Sequence, residues 1–266
     1  MKVALVFICV NKLYWPYSRQ IMEDCRANFL SGHQVDFFLW SDMPSNIDYG
    51  AKHTPVDAIQ WPMGTLFRYH LFLQKEAELA TYDYIFYMDV DMRVVDKIGD
   101  EILGNGLTMV EHPMYAIRKE LTPPYEPNEK SEAYIPRPGF VYQDNDGKPR
   151  FKPTYAAGGF QGGKSKDFIE AMKVMKQRID KDFQNNYIAI WNDESHWNKY
   201  LFEHNPAVIL CPSYCYPDSL IEQYYVPIWG RNYPPKIITL TKPFTLKKGG
   251  AADALAMAQQ MSKIQL

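Results

Sequence analysis

The run Tyr84-Ile85-Phe86-Tyr87-Met88-Asp89-Val90-Asp91-Met92 decides how the chain is read. Its apolar and aromatic residues, bounded by Asp83 and Arg93, form the pattern of a buried strand of the parallel type. Two carboxylates, Asp89 and Asp91, stand where that strand stops. In an open α/β sheet, ligands bind beyond the carboxyl ends of the strands, so an Asp-x-Asp there is placed to meet one. Hard oxygen donors in that position suit Mn²⁺ or Mg²⁺, ions that commonly complete their shell with substrate phosphates. A pair of solvated acids opening a turn accounts for the same residues, and this stretch alone leaves both readings open.

The chain has 266 residues, enough for one large α/β domain, and we read it as one. A net charge of -2 excludes the surplus of basic residues that a nucleic-acid or polybasic membrane protein uses. Tyrosine is frequent, at 19 residues, and sugar- or base-stacking sites draw on Tyr and Trp, although most aromatic residues serve the core. Cys9, Cys25, Cys211 and Cys215 form neither a zinc pattern nor a secreted disulfide framework, so a reduced, soluble, cytoplasmic protein is expected. The apolar start Val3 to Val10 imitates a signal peptide but lacks a small-residue cleavage site, and reads as a first strand. No run is apolar for long enough to span a membrane.

From the N-terminus, a helix over 17–29 and a strand over 34–40 complete a βαβ opening. A helix follows over about 65–79, then the Asp89/Asp91 strand, and a further strand from Leu107 runs towards Glu111-His112-Pro113. A long polar stretch to about Lys152 contains no clear element, and its part around 120–130 is expected to be mobile, as is the basic tail. The glycines of Tyr155-Ala156-Ala157-Gly158-Gly159-Phe160-Gln161-Gly162-Gly163 open a helix over 166–179; close backbone packing explains them without any ligand. Asp193-Glu194-Ser195-His196 opens a helix through Phe202, where first-turn acids suit the helix dipole without any chemistry. A strand over 208–211 comes next. The tail carries Lys236, Lys242, Lys247 and Lys248 and ends in a helical pattern over 251–266.

Taken together these segments resemble family 6 of the glycosyltransferases, the retaining α-1,3-galactosyl- and N-acetylgalactosaminyltransferases. The resemblance runs from about Val3 to Leu220. It is carried by Phe86 to Asp91, Glu111-His112-Pro113, Ser131-Glu132-Ala133-Tyr134-Ile135-Pro136, Gly158 to Gly163, and Trp191-Asn192-Asp193-Glu194-Ser195-His196-Trp197-Asn198-Lys199-Tyr200. It implies a GT-A fold, a single Rossmann-like domain with a mixed central sheet. In that fold residues of about 1–92 bind the nucleotide, 93–220 the donor sugar and acceptor, and 221–266 form a tail. It further implies a UDP-sugar donor, UDP-N-acetylgalactosamine in preference to UDP-galactose, and a galactoside acceptor linked α-1,3.

By resemblance, Asp89 and Asp91 hold Mn²⁺, with Mg²⁺ second. Cys9, Asn11, Tyr14, Arg68, Val90, Ala157, Gly158, Gly159 and Asp193 bind the donor together with the two metal-binding acids. His112, Trp191 and Glu194 meet the acceptor, and Glu194 is the catalytic carboxylate. Ala157 and Gly159, both small, are expected to leave room for the acetamido group. The chain departs from the family pattern in a longer segment over 137–152, in Gln161 where an aromatic residue is usual, and in showing no membrane anchor, which fits a soluble bacterial-type or viral member. The alternatives are a galactoside-binding protein that kept the fold without catalysis, and a transferase using another UDP-hexose.

Overall fold

The first strand, β1 (Lys2–Cys9), sorts its side chains by strict alternation. Val3, Leu5, Phe7 and Cys9 enter one core layer with Ile21, Met22 and Cys25 of α1 (Trp15–Asn28). Ala4, Val6, Ile8 and Val10 enter another with Tyr69 and Phe72 of one helix and Phe168, Met172 and Met175 of another. Both faces of the strand are therefore dry, and each fully buried large side chain contributes about 1.5–3 kcal/mol. Burial on both faces is what a central strand of an α/β sandwich requires.

The computed structural model describes residues 1–44, 46–117, 123–136, 141–143, 149–151, 155–220 and 233–243. The central sheet is built from β1, β2 (Gln34–Ser41), β3 (Lys52–Pro55), β4 (Tyr84–Met88), β6 (Leu107–Val110), β9 (Phe160–Lys164) and β10 (Val208–Leu210), in the order β10-β6-β9-β4-β1-β2-β3. It is parallel except at β9, which runs antiparallel to both β4 and β6. This mixed sheet fits the expected GT-A class. The helical stretch expected over 65–79 is three short helices, α2 (Met63–Leu66), α3 (Arg68–Leu73) and α4 (Glu76–Leu79). The breaks fall at Phe67 and Lys75, whose backbones sit near ψ 0 in the bridge region. A short α5 (Pro113–Ile117) follows β6, and α6 (Ser165–Gln184) and α7 (Asp193–Glu203) follow β9. No helix among the described residues is long and apolar enough to cross a membrane.

Several expectations need correction. The glycine cluster enters the sheet as β9 before any helix begins, and a strand made of Phe160-Gln161-Gly162-Gly163-Lys164 has too few side chains to show alternation. The stretch around 120–130 is not loose where it is described: Tyr125 and Glu126 are buried, and so are Ser131, Ala133 and Ile135 beyond it. The tail is also partly docked. β12 (Ile237–Thr239) pairs antiparallel with β5 (Met92–Val94) and parallel with β11 (Tyr216–Pro217), and Leu240 N–H donates to the Asp91 carbonyl at 2.9 Å. Lys247, Lys248 and the helical pattern over 251–266 lie outside the described residues, as do 118–122. The longer segment over 137–152 contains β7 (Val141–Gln143) and β8 (Pro149–Phe151), paired antiparallel.

Gly162 and Gly163 exist for packing. A Cβ on Gly162 would stand 2.4 Å from the Ile85 carbonyl oxygen, and one on Gly163, at φ +137°, 2.3 Å from that of Gly106. Gly162→Ala is therefore expected to cost about 3 kcal/mol or more in urea unfolding, the upper end of overpacking costs. Gly32→Ala, at φ +100° with open space around it, is the control and should cost about 1 kcal/mol. Equal midpoints for Gly162→Ala and the wild type would show that β9 shifts freely.

Candidate functional site

The site grows from the end of β4. Period-2 alternation puts Tyr87 and Asp89 on one face, and the Tyr87 hydroxyl donates to Asp89 Oδ1. The β4/β9 ladder continues one step past the strand, where Asp89 N–H donates to the Gly159 carbonyl at 2.9 Å. Arg68, 3% exposed, joins the parts. Its guanidinium lies 3.6 Å from Asp89 Oδ1 and 3.1 Å from Asp193 Oδ2, donates to the Gly158 carbonyl at 3.1 Å and the Thr65 carbonyl at 3.2 Å, and stacks 4.2 Å over the Tyr87 ring. Burial opposes the charge on Arg68, but Asp193, Tyr87 and Asp89 outweigh it and hold the group more firmly protonated than usual. Burial pushes the Asp89 carboxyl up to about 6 against the pull of Arg68, although a third of its side chain reaches solvent.

Asp91 is buried and meets a different cation. Lys242, brought in by the chain beyond β12, places Nζ 2.6 Å from Asp91 Oδ2 and 5.5 Å from the Tyr14 ring centre. Burial works against the Lys242 ammonium, and Asp91 more than compensates. A cavity of about 120 Å³ opens here, lined by Asn11, Tyr14, Thr65, Arg68, Tyr87, Asp89, Val90, Asp91 and Lys242 among others. A larger hollow of about 510 Å³ lies at the opposite end of β4, but its cations Lys164, Lys166 and Lys173 are matched by Glu76, Asp83 and Glu170, and it holds none of the groups above.

Across Gly158 stands Glu194, in the first turn of α7. Gly158 N–H donates to Glu194 Oε2 at 2.8 Å, and a Cβ on Gly158 would press on that carboxylate at 3.1 Å. Burial pushes Glu194 up to about 7; Tyr155 and the Gly158 N–H oppose the shift. The Tyr155 hydroxyl is buried beside Glu194 without completing a hydrogen bond of regular geometry. Asn198 locks this arrangement by taking the Ala156 N–H on Oδ1 at 2.7 Å and giving Nδ2 to the carbonyls of Ala156 and Glu194, each at 2.9 Å. His112 packs its ring against Tyr155, its centre 5.8 Å away, and burial lowers it to about 4, so it is neutral. Met114 N–H reaches His112 Nδ1 at 3.3 Å, which leaves the ring proton on Nε2 as a donor. Trp191, 48% exposed, stands two residues before the first residue of α7, with Asn192 between them.

The structure thus brings Asn11, Tyr14, Arg68, Asp89, Val90, Asp91, Gly158, Gly159, Asp193 and Glu194 to one end of the sheet, with His112 and Trp191 on the Glu194 side. Cys9 does not join them. It is fully buried in the layer opposite the cavity, because alternation turns Ile8 and Val10 to the cavity and Cys9 away. Ala157 is 2% exposed and lines neither of the two cavities described above. Gly159 does not face empty space either: a Cβ there would meet Met92 Cε at 2.3 Å and Asp89 Oδ2 at 2.9 Å. Its missing side chain makes room for the Asp89 carboxylate. His196 is structural, buried with Nε2 3.5 Å from Asp182 Oδ2. Thr65, Tyr87, Tyr155 and Asn198 were not anticipated in the site. Alternation pointed to Tyr87, and Asn198 sits in a quoted motif, but nothing local marks Tyr155 or Thr65.

The acids suit a divalent ion by their chemistry. Among the described residues Asp89 Oδ2 and Asp91 Oδ1 take no hydrogen bond, and no cluster of three or more metal-ligating side chains occurs. Two carboxylates that leave most of a coordination shell to phosphate oxygens and water match the habit of Mg²⁺ and Mn²⁺.

Known proteins bear on the same residues. The rat (Rattus norvegicus) histo-blood group ABO system transferase 1 is 30% identical over 229 residues, 82% of this chain and 62% of its own length. Globoside alpha-1,3-N-acetylgalactosaminyltransferase 1 of Gallus gallus is 26% identical over 231 residues, 82% of this chain and 62% of its own. The O-antigen biosynthesis glycosyltransferase WbnI of Escherichia coli is 25% identical over 248 residues, 91% and 95% respectively. The chain spans about three fifths of the two animal relatives and nearly all of the bacterial one. Residues 1–226 match glycosyltransferase family 6 from β1 through the strand-end acids to the start of α7 and beyond, and the chain belongs to that family.

Proposed function

We propose that the protein is a metal-dependent retaining glycosyltransferase that moves N-acetylgalactosamine, or galactose, from its UDP donor to the 3-hydroxyl of a galactoside acceptor. The observation that carries this reading is the buried Arg68, which ties Asp89 of the strand-end pair to Asp193 at the start of α7, beside a cavity that Arg68, Asp89 and Asp91 line. Tyr14 lines that cavity with a face suited to stacking on a base. Asp89 and Asp91 would hold a divalent ion, which when bound would offset charge on the departing diphosphate. Lys242 adds a positive charge at the same place.

Glu194 supplies the negative charge at the reacting carbon. It either attacks that carbon to form a glycosyl-enzyme or faces an oxocarbenium-like centre while the acceptor enters from the side the diphosphate leaves. Both routes keep the anomeric configuration. The Gly158 N–H fixes one carboxylate oxygen, and Asn198 fixes the helix turn beneath it. His112 Nε2–H and the exposed Trp191 face suit a sugar hydroxyl and the apolar side of a galactose.

Asp89→Asn and Asp91→Asn should each lower kcat/KM about 10²- to 10³-fold, the usual loss for a group that stabilises developing charge. Release of UDP from UDP-N-acetylgalactosamine, with and without Mn²⁺ and with EDTA as control, measures it. Near-normal rates in both variants would place the ion elsewhere, and galactoside binding without any UDP release would make the protein a lectin-like binder.

Glu194→Gln should cut kcat at least about 100-fold while UDP binding holds. It also changes stability in a definite direction. Between an ordinary glutamate value of about 4.3 and the folded value of about 7, the folded state keeps a proton that the unfolded state has lost, so stability falls as pH rises through that window. The glutamine variant lacks this term and should be more stable than wild type at pH 8, on the order of 2 kcal/mol, with the two converging near pH 4. Parallel pH–stability curves would overturn the account of Glu194.

For the donor, the reading favours the acetamido sugar, in line with the activity named for the Gallus gallus relative. A methyl-sized contact gives about 10- to 200-fold discrimination, so kcat/KM should favour UDP-N-acetylgalactosamine over UDP-galactose within that range. Equal or better use of UDP-galactose would reverse the assignment.

A further inference from the structure

Glu126 is 1% exposed, and among the described residues its carboxylate meets neutral donors. Oε1 accepts the Tyr187 hydroxyl at 2.8 Å and the Asn128 N–H at 2.9 Å; Oε2 accepts the Ile190 N–H at 2.6 Å. A buried carboxylate without a cation is costly to desolvate, and it persists where hydrogen bonds compensate it. The residues it holds show what it does here.

Tyr187 and Ile190 belong to the connection between α6, which ends at Gln184, and α7, which begins at Asp193. Two non-glycine residues of that connection, Asn186 at φ +54° and Asn192 at φ +52°, stand in left-handed conformations. Such residues persist where surrounding contacts over-determine them. Packing does not supply those contacts at the apex, since Ile190 is 53% and Trp191 48% exposed. Hydrogen bonds do: Glu126 holds Ile190 N–H, Ser195 Oγ holds Trp191 N–H at 3.1 Å, and the turn closes through Asn192 N–H to the Ala189 carbonyl at 2.9 Å and Glu194 N–H to the Trp191 carbonyl at 3.1 Å. The chain then passes directly into Asp193 and Glu194.

We propose that Glu126 is a positioning residue for acceptor recognition: its carboxylate fixes the connection that presents the Trp191 face beside Glu194. This rests on the reading of Trp191 as an acceptor contact. The donor side is secured separately, by Arg68, Asp89 and Gly159, so Glu126 acts on acceptor binding and leaves donor binding alone.

Glu126→Gln is the test, because it keeps size and one accepting oxygen while turning an NH₂ group towards the Ile190 N–H. Tyr187→Phe, which spares the Ile190 bond, is the milder companion. Steady-state transfer to methyl β-galactoside should show an acceptor KM raised about tenfold or more in Glu126→Gln. Hydrolysis of the UDP-sugar without acceptor, and the UDP dissociation constant, should match the wild type. Hydrogen exchange of peptides covering 188–192 should quicken in the same variant. Unchanged exchange there overturns the hold of Glu126 on the connection. Donor hydrolysis that falls in parallel with transfer overturns the separation of acceptor from donor. Trp191→Ala distinguishes the underlying reading: unchanged acceptor KM in that variant removes Trp191 from acceptor binding, whereas a raised KM there with an unchanged one in Glu126→Gln refutes the positioning role.

Discussion

A buried guanidinium with two carboxylate partners is the constraint from which the site follows. Arg68 reaches Asp89 at the end of β4 and Asp193 at the start of α7, and its Nη1 also donates to the backbone between them at Gly158. Removing one partner from a buried pair commonly costs about 3–5 kcal/mol, a large fraction of the roughly 5–15 kcal/mol by which folded proteins are stable. The three segments therefore keep their spacing before any ligand arrives. Fixed dipoles and charges of this kind cost no reorganisation during a reaction, which is the usual source of electrostatic catalysis.

The sheet makes that meeting possible through its one reversed strand. Because β9 runs antiparallel between β4 and β6, its entry, Gly158-Gly159, passes the exit of β4, Asp89. Close passage demands glycine twice over. Gly162 lies against the β4 backbone, and Gly159 lies against the Asp89 carboxylate itself. The cluster that reads as either packing or a ligand wall is thus divided along its length, with packing at 162–163 and the site at 158–159. Substitution at Gly159 acts first on Met92 and Asp89, so any effect of that position on the site passes through the placement of the Asp89 carboxylate.

Much of this was legible. Asp89 and Asp91 stood at a strand end in the sequence, and β1 and β2 followed from short apolar runs, which are continuous because both faces of those strands meet packed layers. What escaped was what side-chain pattern cannot encode. β9 has too few side chains to alternate, β5 and β12 are three residues each, and the break of 65–79 into three helices lies in backbone angles at Phe67 and Lys75. In the site, Tyr155 and Asn198 act through neighbours distant in the chain, and no local motif announces such contacts. Composition misled over 123–136, where polar residues such as Glu126 and Ser131 are buried by the bonds they make.

Charge balance connects Lys242 to the proposed chemistry. Asp89, Asp91, Asp193 and Glu194 face two cations, Arg68 and Lys242, so the fully ionised site carries two surplus negative charges. Burial shifts both Asp89 and Glu194 upward, so this surplus is relieved by proton uptake as pH falls. A nucleotide diphosphate brings further negative charge to a place that already has too much. Lys242 is bound to Asp91, and turning it to a phosphate would leave that buried acid uncompensated. On the proposed reading, Asp89 and Asp91 would hold a divalent ion whose charge would offset both the acids and the diphosphate, and Lys242 would be available to the phosphates. The Lys242–Asp91 contact at 2.6 Å shows that the buried second acid is compensated by a cation, and that any group drawing Lys242 away must bring a positive charge in its place.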